Sequence, residues 1–165
     1  MANALTTYHS KRDFKKTPEP KGRVARARKQ PRFVVQKHRA STLHYDFRLE
    51  ADGVLKSWAV PKGPPRTAAE KRLAVPTEDH PLSHIDLEGA IPAGEYGAGT
   101  VEVWDTGTYE NLTEKGGKPV PPGRAIRAGH IAFALNGNRL RARYALTRVG
   151  KDGKRGRWLL VKMKR

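Results

Sequence analysis

Leu43–Glu50 holds the residues best suited to chemistry. Leu43, Tyr45, Phe47 and Leu49 alternate with His44, Asp46, Arg48 and Glu50. As a strand, this stretch sets one polar row, with about 6.6–7 Å between successive members. His38 lies six residues before His44, near the end of a strand predicted from Phe33. Two imidazoles and a carboxylate suit a borderline divalent ion such as Mn²⁺, Fe²⁺ or Zn²⁺. Arg48 serves no purpose in metal binding alone. A guanidinium there fits bidentate recognition of a phosphate beside the ion.

A second polar row is expected further along. Arg72, Glu78 and His80 share parity if the segment is extended, and Pro76 suggests an edge or bent strand. His80 is a candidate proton donor for a leaving alkoxide. Lys62, in Val-Pro-Lys-Gly, offers a further phosphate contact. For any one of these residues, a charged and solvated sheet face is the plainer reading. The whole set, in a chain with six histidines, favours a site. Gly94-Glu95-Tyr96-Gly97-Ala98-Gly99 lacks the Lys-Ser/Thr of a phosphate loop and reads as a turn leading into a strand. Trp58, Trp104 and Trp158 read as core, with base stacking the lesser option, while His9 and His130 show no evident partner.

The elements that must position these groups are strands. Phe33–Gln36, Leu43–Glu50, Val54–Val60, Arg72–Thr77, Thr100–Asp105, His130–Leu135, Leu140–Thr147 and Trp158–Met163 are predicted, with tight turns at Asp52-Gly53, Asn136-Gly137 and Asp152-Gly153. At most one helical turn is expected, around Thr67–Lys71. The pattern implies a mainly β, single-domain antiparallel barrel of about eight strands, with minimal helix and a polar central pocket. Residues 1–31 read as a basic N-terminal arm and 32–165 as the barrel. Lys-Thr-Pro-Glu-Pro-Lys-Gly breaks regular structure in the arm, and Arg23–Arg32 carries five basic side chains.

Charge points to a polyanion. The 165 residues carry 33 Lys and Arg against 16 Asp and Glu, a net charge of +17, as expected of a nucleic-acid partner. Residues 41–110 run the other way, with 6 basic and 12 acidic side chains. An acidic centre in a basic chain suits a metal site that faces a phosphate. No cysteine is present, which excludes disulfides, thiolate metal sites and a Cys nucleophile. No apolar run reaches the roughly 20 residues of a membrane span, and Met1–Ser10 does not resemble a signal peptide, so a cytoplasmic, nucleoid-associated monomer is expected.

The sequence resembles the 3′-phosphoesterase domain of DNA ligase D. Gln36-Lys37-His38 through His44-Tyr-Asp46-Phe-Arg48-Leu-Glu50 carries the likeness. It continues in Leu55–Gly63, Lys71–Val75, Glu78–Leu82 and Ile91–Asp105, and reaches back to Tyr8-His-Ser-Lys-Arg-Asp13-Phe and Thr17-Pro-Glu19-Pro. The resemblance implies Mn²⁺-dependent removal of a 3′-terminal ribonucleoside, then hydrolysis of the remaining 3′-phosphate to a 3′-hydroxyl. Co²⁺ or Zn²⁺ are further metals it allows. Carried over, His38, His44 and Asp46 would bind the metal, Arg48 and Arg72 would hold the phosphate, and His80 would act on the transition state or leaving group. Lys62 and Glu78 would assist, with Gln36, Asp13 and Glu19 in support, so the arm must fold back onto the domain. Four residues after the His80 counterpart, a member of that family has a tyrosine where this chain has His84, which bears on the balance of the two steps. The implied partners are a DNA primer–template and, in trans, an ATP-dependent ligase, a polymerase and Ku.

Two other classes compete. His44 and Asp46 with a distant His imitate the facial triad of a non-haem iron oxygenase of cupin type. A non-catalytic nucleic-acid-binding barrel would explain the charge but not the acidic centre.

Overall fold

Strand alternation sorts the side chains into an inside and an outside. The computed structural model describes residues 4–22, 24, 30–152 and 155–164. In chain order they form α1 (Thr6–Ser10), β1 (Arg32–Arg39), β2 (Leu43–Ala51), β3 (Val54–Val60), β4 (Lys71–His80), a 3₁₀ turn (Leu82–Asp86), β5 (Gly89–Ile91) and β6 (Gly99–Asn111). The short strands β7 (Glu114–Lys115) and β8 (Lys118–Pro119) follow, then α2 (Pro122–Ala128), β9 (His130–Gly137), β10 (Arg143–Asp152) and β11 (Arg155–Lys162). The sheet runs β1-β2-β3-β4-β11-β10-β9-β6, and β6 returns to β1. The sheet therefore closes as an eight-stranded antiparallel barrel, and its eight strands correspond to the eight predicted from sequence. β5 pairs with the first part of β6.

All eight barrel strands send apolar side chains into one core. Phe47 and Leu49 of β2 meet Trp58, Phe133, Leu146 and Leu160 there, all buried. A barrel of this strand number has an interior that side chains just fill, so Phe133→Ala would cost about 3–5 kcal/mol. The lumen is therefore apolar, and the polar pocket is not central as expected. The row His44, Asp46, Arg48 points out of the barrel wall, and other chain segments cover it. Leu82 and Ile85 of the 3₁₀ turn pack on Val34 and Leu55, while Leu5 and Tyr8 pack on Val54. The arm thus folds onto the barrel through residues 4–22. The basic run at Arg23 and residues 25–29 lies outside the described residues, as does Gly153 of the third predicted turn.

Two β-bulges change the parity that the sequence suggests. In the β3–β4 pairing Ser57 faces Thr77, but Leu55 faces His80, so β4 carries one extra residue between them. In the β1–β6 pairing Val35 faces Asp105 and Gln36 faces Val103, which leaves Trp104 as the extra residue. The hairpin turn at Asp52-Gly53 has positive φ at both residues, 54° and 77°, as a type I′ turn requires. α2 was not foreseen, although Pro122 in its first turn and Gly129 at its left-handed C-cap are ordinary helix signals. Among the described residues, no helix is long and apolar enough to cross a membrane.

Candidate functional site

The β1–β2 hairpin builds the centre. It sets His38 opposite His44 and Gln36 opposite Asp46. The two imidazole rings lie 4.7 Å apart, at a steep mutual angle. His44 Nε2 is 3.2 Å from Asp46 Oδ1, and His38 Nδ1 is 3.5 Å from Asp46 Oδ2. On its other side His38 Nε2 donates to the Gly97 carbonyl at 2.8 Å. That bond assigns the tautomer and leaves Nδ1 turned towards Asp46, the usual way a second partner orients a ligating histidine. One ligand atom from each of His38, His44 and Asp46 lies within 4.8 Å of the others. This imidazole–carboxylate set fits a divalent transition ion with open positions for substrate.

Electrostatics favours the ionised carboxylate. Burial alone would raise the Asp46 carboxyl, but the Arg48 guanidinium and the bonds from His38 and His44 outweigh it and hold it well below the usual range. The bond to Asp46 raises His38 against the opposing effect of burial.

Arg48 is the hub of the pocket. It is buried, with Nε donating to Gln36 Oε1 at 2.8 Å, Nη1 donating to Ser57 Oγ at 2.9 Å, and Nη2 3.5 Å from Asp46 Oδ2. Gln36 in turn donates to the His84 carbonyl at 2.8 Å, so its supporting role is to hold the guanidinium in place. His80 sits beside Arg48, its Nδ1 3.1 Å from Nη1 and 2.8 Å from the Glu78 carbonyl. With Nδ1–H donated to that carbonyl, Nε2 keeps its lone pair and accepts from Arg12 Nη2 at 3.3 Å. Burial first, then the charges of Arg48, His84 and Arg12, push His80 well below its ordinary value. The imidazole is therefore neutral here.

The arm supplies a cation that the sequence reading did not single out. Arg12 stacks on Tyr8 and pairs with Glu19 and Glu78, each at 3.0 Å. It was hidden in a basic run, and the available signal was its place inside the matching stretch Tyr8–Phe14. Glu19 also bonds His84 Nε2 at 2.9 Å. These groups line one cleft of about 230 Å³ with His38, His44 and Asp46. Glu78 faces that cleft as a clamp on Arg12 and Lys11.

Three predicted residues are not brought to it. Arg72 shares no face with His80, because the β4 bulge lies between them and reverses parity. It points to the barrel mouth, paired with Glu70, and shares a separate depression with Lys62. Asp13 is half exposed and closes a local turn, accepting from Lys15 N at 3.1 Å.

The family model for the DNA ligase D 3′-phosphoesterase domain matches residues 36–148. The chain belongs to that family. Over 97% of its length it is 52% identical to the multifunctional non-homologous end joining protein LigD of Pseudomonas aeruginosa. It is 47% identical over 99% to the LigD of Mycolicibacterium smegmatis, and 46% identical over 99% to the multifunctional non-homologous end joining DNA repair protein LigD of Mycobacterium tuberculosis. This phosphoesterase-family chain corresponds to only 18%, 21% and 20% of those relatives, respectively.

Proposed function

We propose that the chain is a metal-dependent phosphoesterase that trims DNA 3′ ends. It removes a terminal ribonucleoside, then the 3′-phosphate, leaving a hydroxyl for repair by end joining. The observation that carries this reading is the contact of Arg48 with both Asp46 and His80, 3.5 and 3.1 Å away. Such a guanidinium fork, between the His38–His44–Asp46 set and an imidazole, is what a phosphate beside a bound ion would need. A Mn²⁺ ion held by His38, His44 and Asp46 would supply Lewis-acid stabilisation of the phosphate oxygens. Arg48 and Arg12 hold the phosphate and meet the charge that develops in the transition state. Burial and two guanidiniums keep His80 neutral; a dianionic phosphate opposes the guanidiniums, so substrate binding raises His80 towards the form that donates a proton to the leaving oxygen. Two guanidiniums in the cleft suit a phosphate better than the dioxygen of the cupin-type alternative.

A labelled primer–template ending in one ribonucleotide, and another ending in a 3′-phosphate, test this reading with Mn²⁺, with EDTA, and with His44→Ala. Chelator-sensitive conversion of both ends to a 3′-hydroxyl, lost in the variant, is expected. DNA binding without conversion would leave a non-catalytic binding barrel and overturn the proposal. We further propose that this domain acts in end joining, the process that the names of its relatives give, together with a ligase, a polymerase and Ku, and that the chain is a monomer in the cytoplasm.

A further inference from the structure

The barrel has a second basic cavity that the cleft does not use. It opens at the mouth, at the end of the barrel where the β1–β2 hairpin turns over. Lys62 just past β3, Arg72 early in β4, Lys162 at the end of β11 and Arg139 between β9 and β10 all converge there on a depression of about 350 Å³. Glu70 is its one acidic side chain, and that carboxylate is already engaged by the Arg66 and Thr67 N–H groups and by Arg72. Among the described residues, no ion pair is seen for Lys62, Arg139 or Lys162, and Arg72 Nε is buried with no hydrogen-bond partner.

The walls are aromatic. Tyr45 and Trp104 meet edge to face at 5.7 Å, both half-buried, and the Arg139 guanidinium lies over the indole at 4.8 Å. Trp104 is the extra residue of the β6 bulge, a device that re-aims a side chain next to functional sites. Tyr45 stands between His44 and Asp46 on β2 but on the opposite face, so the mouth and the cleft share one strand as their common wall.

We propose that this mouth is a second nucleic-acid site, which takes an unpaired strand over the hairpin rim from the cleft. Its phosphates rest on Lys62, Arg72 and Arg139, and one base stacks on Trp104 as the Arg139 guanidinium shifts onto the neighbouring phosphate. Cations alone would serve a duplex backbone, whereas the aromatic wall selects bases that are free to stack. The strand's continuity with the cleft rests on the end-processing reading; its binding at the mouth does not.

Fluorescence anisotropy in EDTA, with a labelled single-stranded oligonucleotide and a blunt duplex, separates the two claims. Trp104→Leu keeps apolar bulk and is expected to weaken single-strand binding by about 10-fold while leaving the duplex within about twofold. Trp104→Phe is expected to restore it, which distinguishes lost stacking from lost folding. Arg139→Ala is expected to reduce the salt slope by about one. Unchanged single-strand affinity in Trp104→Leu, equal losses on both ligands, or no rescue by Trp104→Phe would overturn the proposal. With active protein, Trp104→Leu is expected to raise KM about 10-fold on a tailed primer–template relative to a nucleoside 3′-monophosphate. A wild-type protein that converts neither substrate refutes the end-processing reading, while the anisotropy result still decides the mouth.

Discussion

His84 Nε2 lies 2.9 Å from Glu19 Oε2, joining the 3₁₀ turn to the arm across 65 residues of sequence. Both groups are buried. Burial raises Glu19, but the His84 bond and the Arg12 charge outweigh it and keep the group ionised. His84 therefore holds Glu19 and, through it, Arg12. His84 is thus already committed to the roof of the pocket.

Acid should loosen that roof. His84 is pushed down to about 4, by burial first and with the Arg48 charge adding to it, against the opposing bond to Glu19. An unfolded histidine titrates near 6.5. Between these values the unfolded chain binds more protons, so stability is full above about pH 6.5 and falls as pH drops towards 4. The loss on this residue alone is about 3 kcal/mol. Urea unfolding at pH 7 and pH 4.5 should show the drop, and His84→Gln should shrink it. His80 is shifted in the same direction, so part of the slope should survive the substitution.

Arg48→Lys tests the fork. An ammonium keeps the charge but cannot reach Gln36, Ser57 and Asp46 at once. Turnover of a 3′-phosphate end should fall by about 10²–10³. The fall should appear in kcat, with the circular dichroism spectrum unchanged.

Mn²⁺ should stabilise the fold and lose that effect in acid. At 100 times its Kd an ion adds about 2.7 kcal/mol. The bond to Asp46 raises His38 above its ordinary value, so the proton and the ion compete for Nδ1. Thermal melting with and without Mn²⁺ should show a shift at pH 8 that shrinks as pH falls past the His38 titration. Asp46→Asn should abolish the shift at every pH.

Gly99→Ala should damage the centre without touching a ligand. Gly99 has φ of +130°, and a Cβ there would lie 2.1 Å from the Arg39 carbonyl oxygen. Relief requires the end of β1 to move, and His38 moves with it. A destabilisation of at least about 1–3 kcal/mol is expected, together with weaker Mn²⁺ binding by calorimetry.

The strands and the grouping of His38, His44 and Asp46 were legible because they depend on local alternation. His38, His44 and Asp46 belong to one hairpin, and period-two parity was enough to group them. Arg72 was misplaced beside His80 because a bulge adds a residue without leaving a sequence mark, and Pro76 alone did not locate it. The placement of the pocket outside the barrel was equally hidden. Alternation separates two faces, but only closure of β6 onto β1 decides which one lies inside. Arg12 and the Gly97 carbonyl went unseen because each acts through a contact distant in sequence.

The β1–β2 hairpin also carries a consequence for how the protein is made. Its His38, His44 and Asp46 span only residues 38–46, and a hairpin of this kind forms in about 1–10 μs. The barrel's most sequence-distant strand pair joins Lys71–Ala74 to Trp158–Val161, a long loop that must wait for the last strand. During synthesis these three residues emerge together, long before the lumen exists. An ion held by them would pin the β1–β2 register while the rest of the chain is still leaving the ribosome.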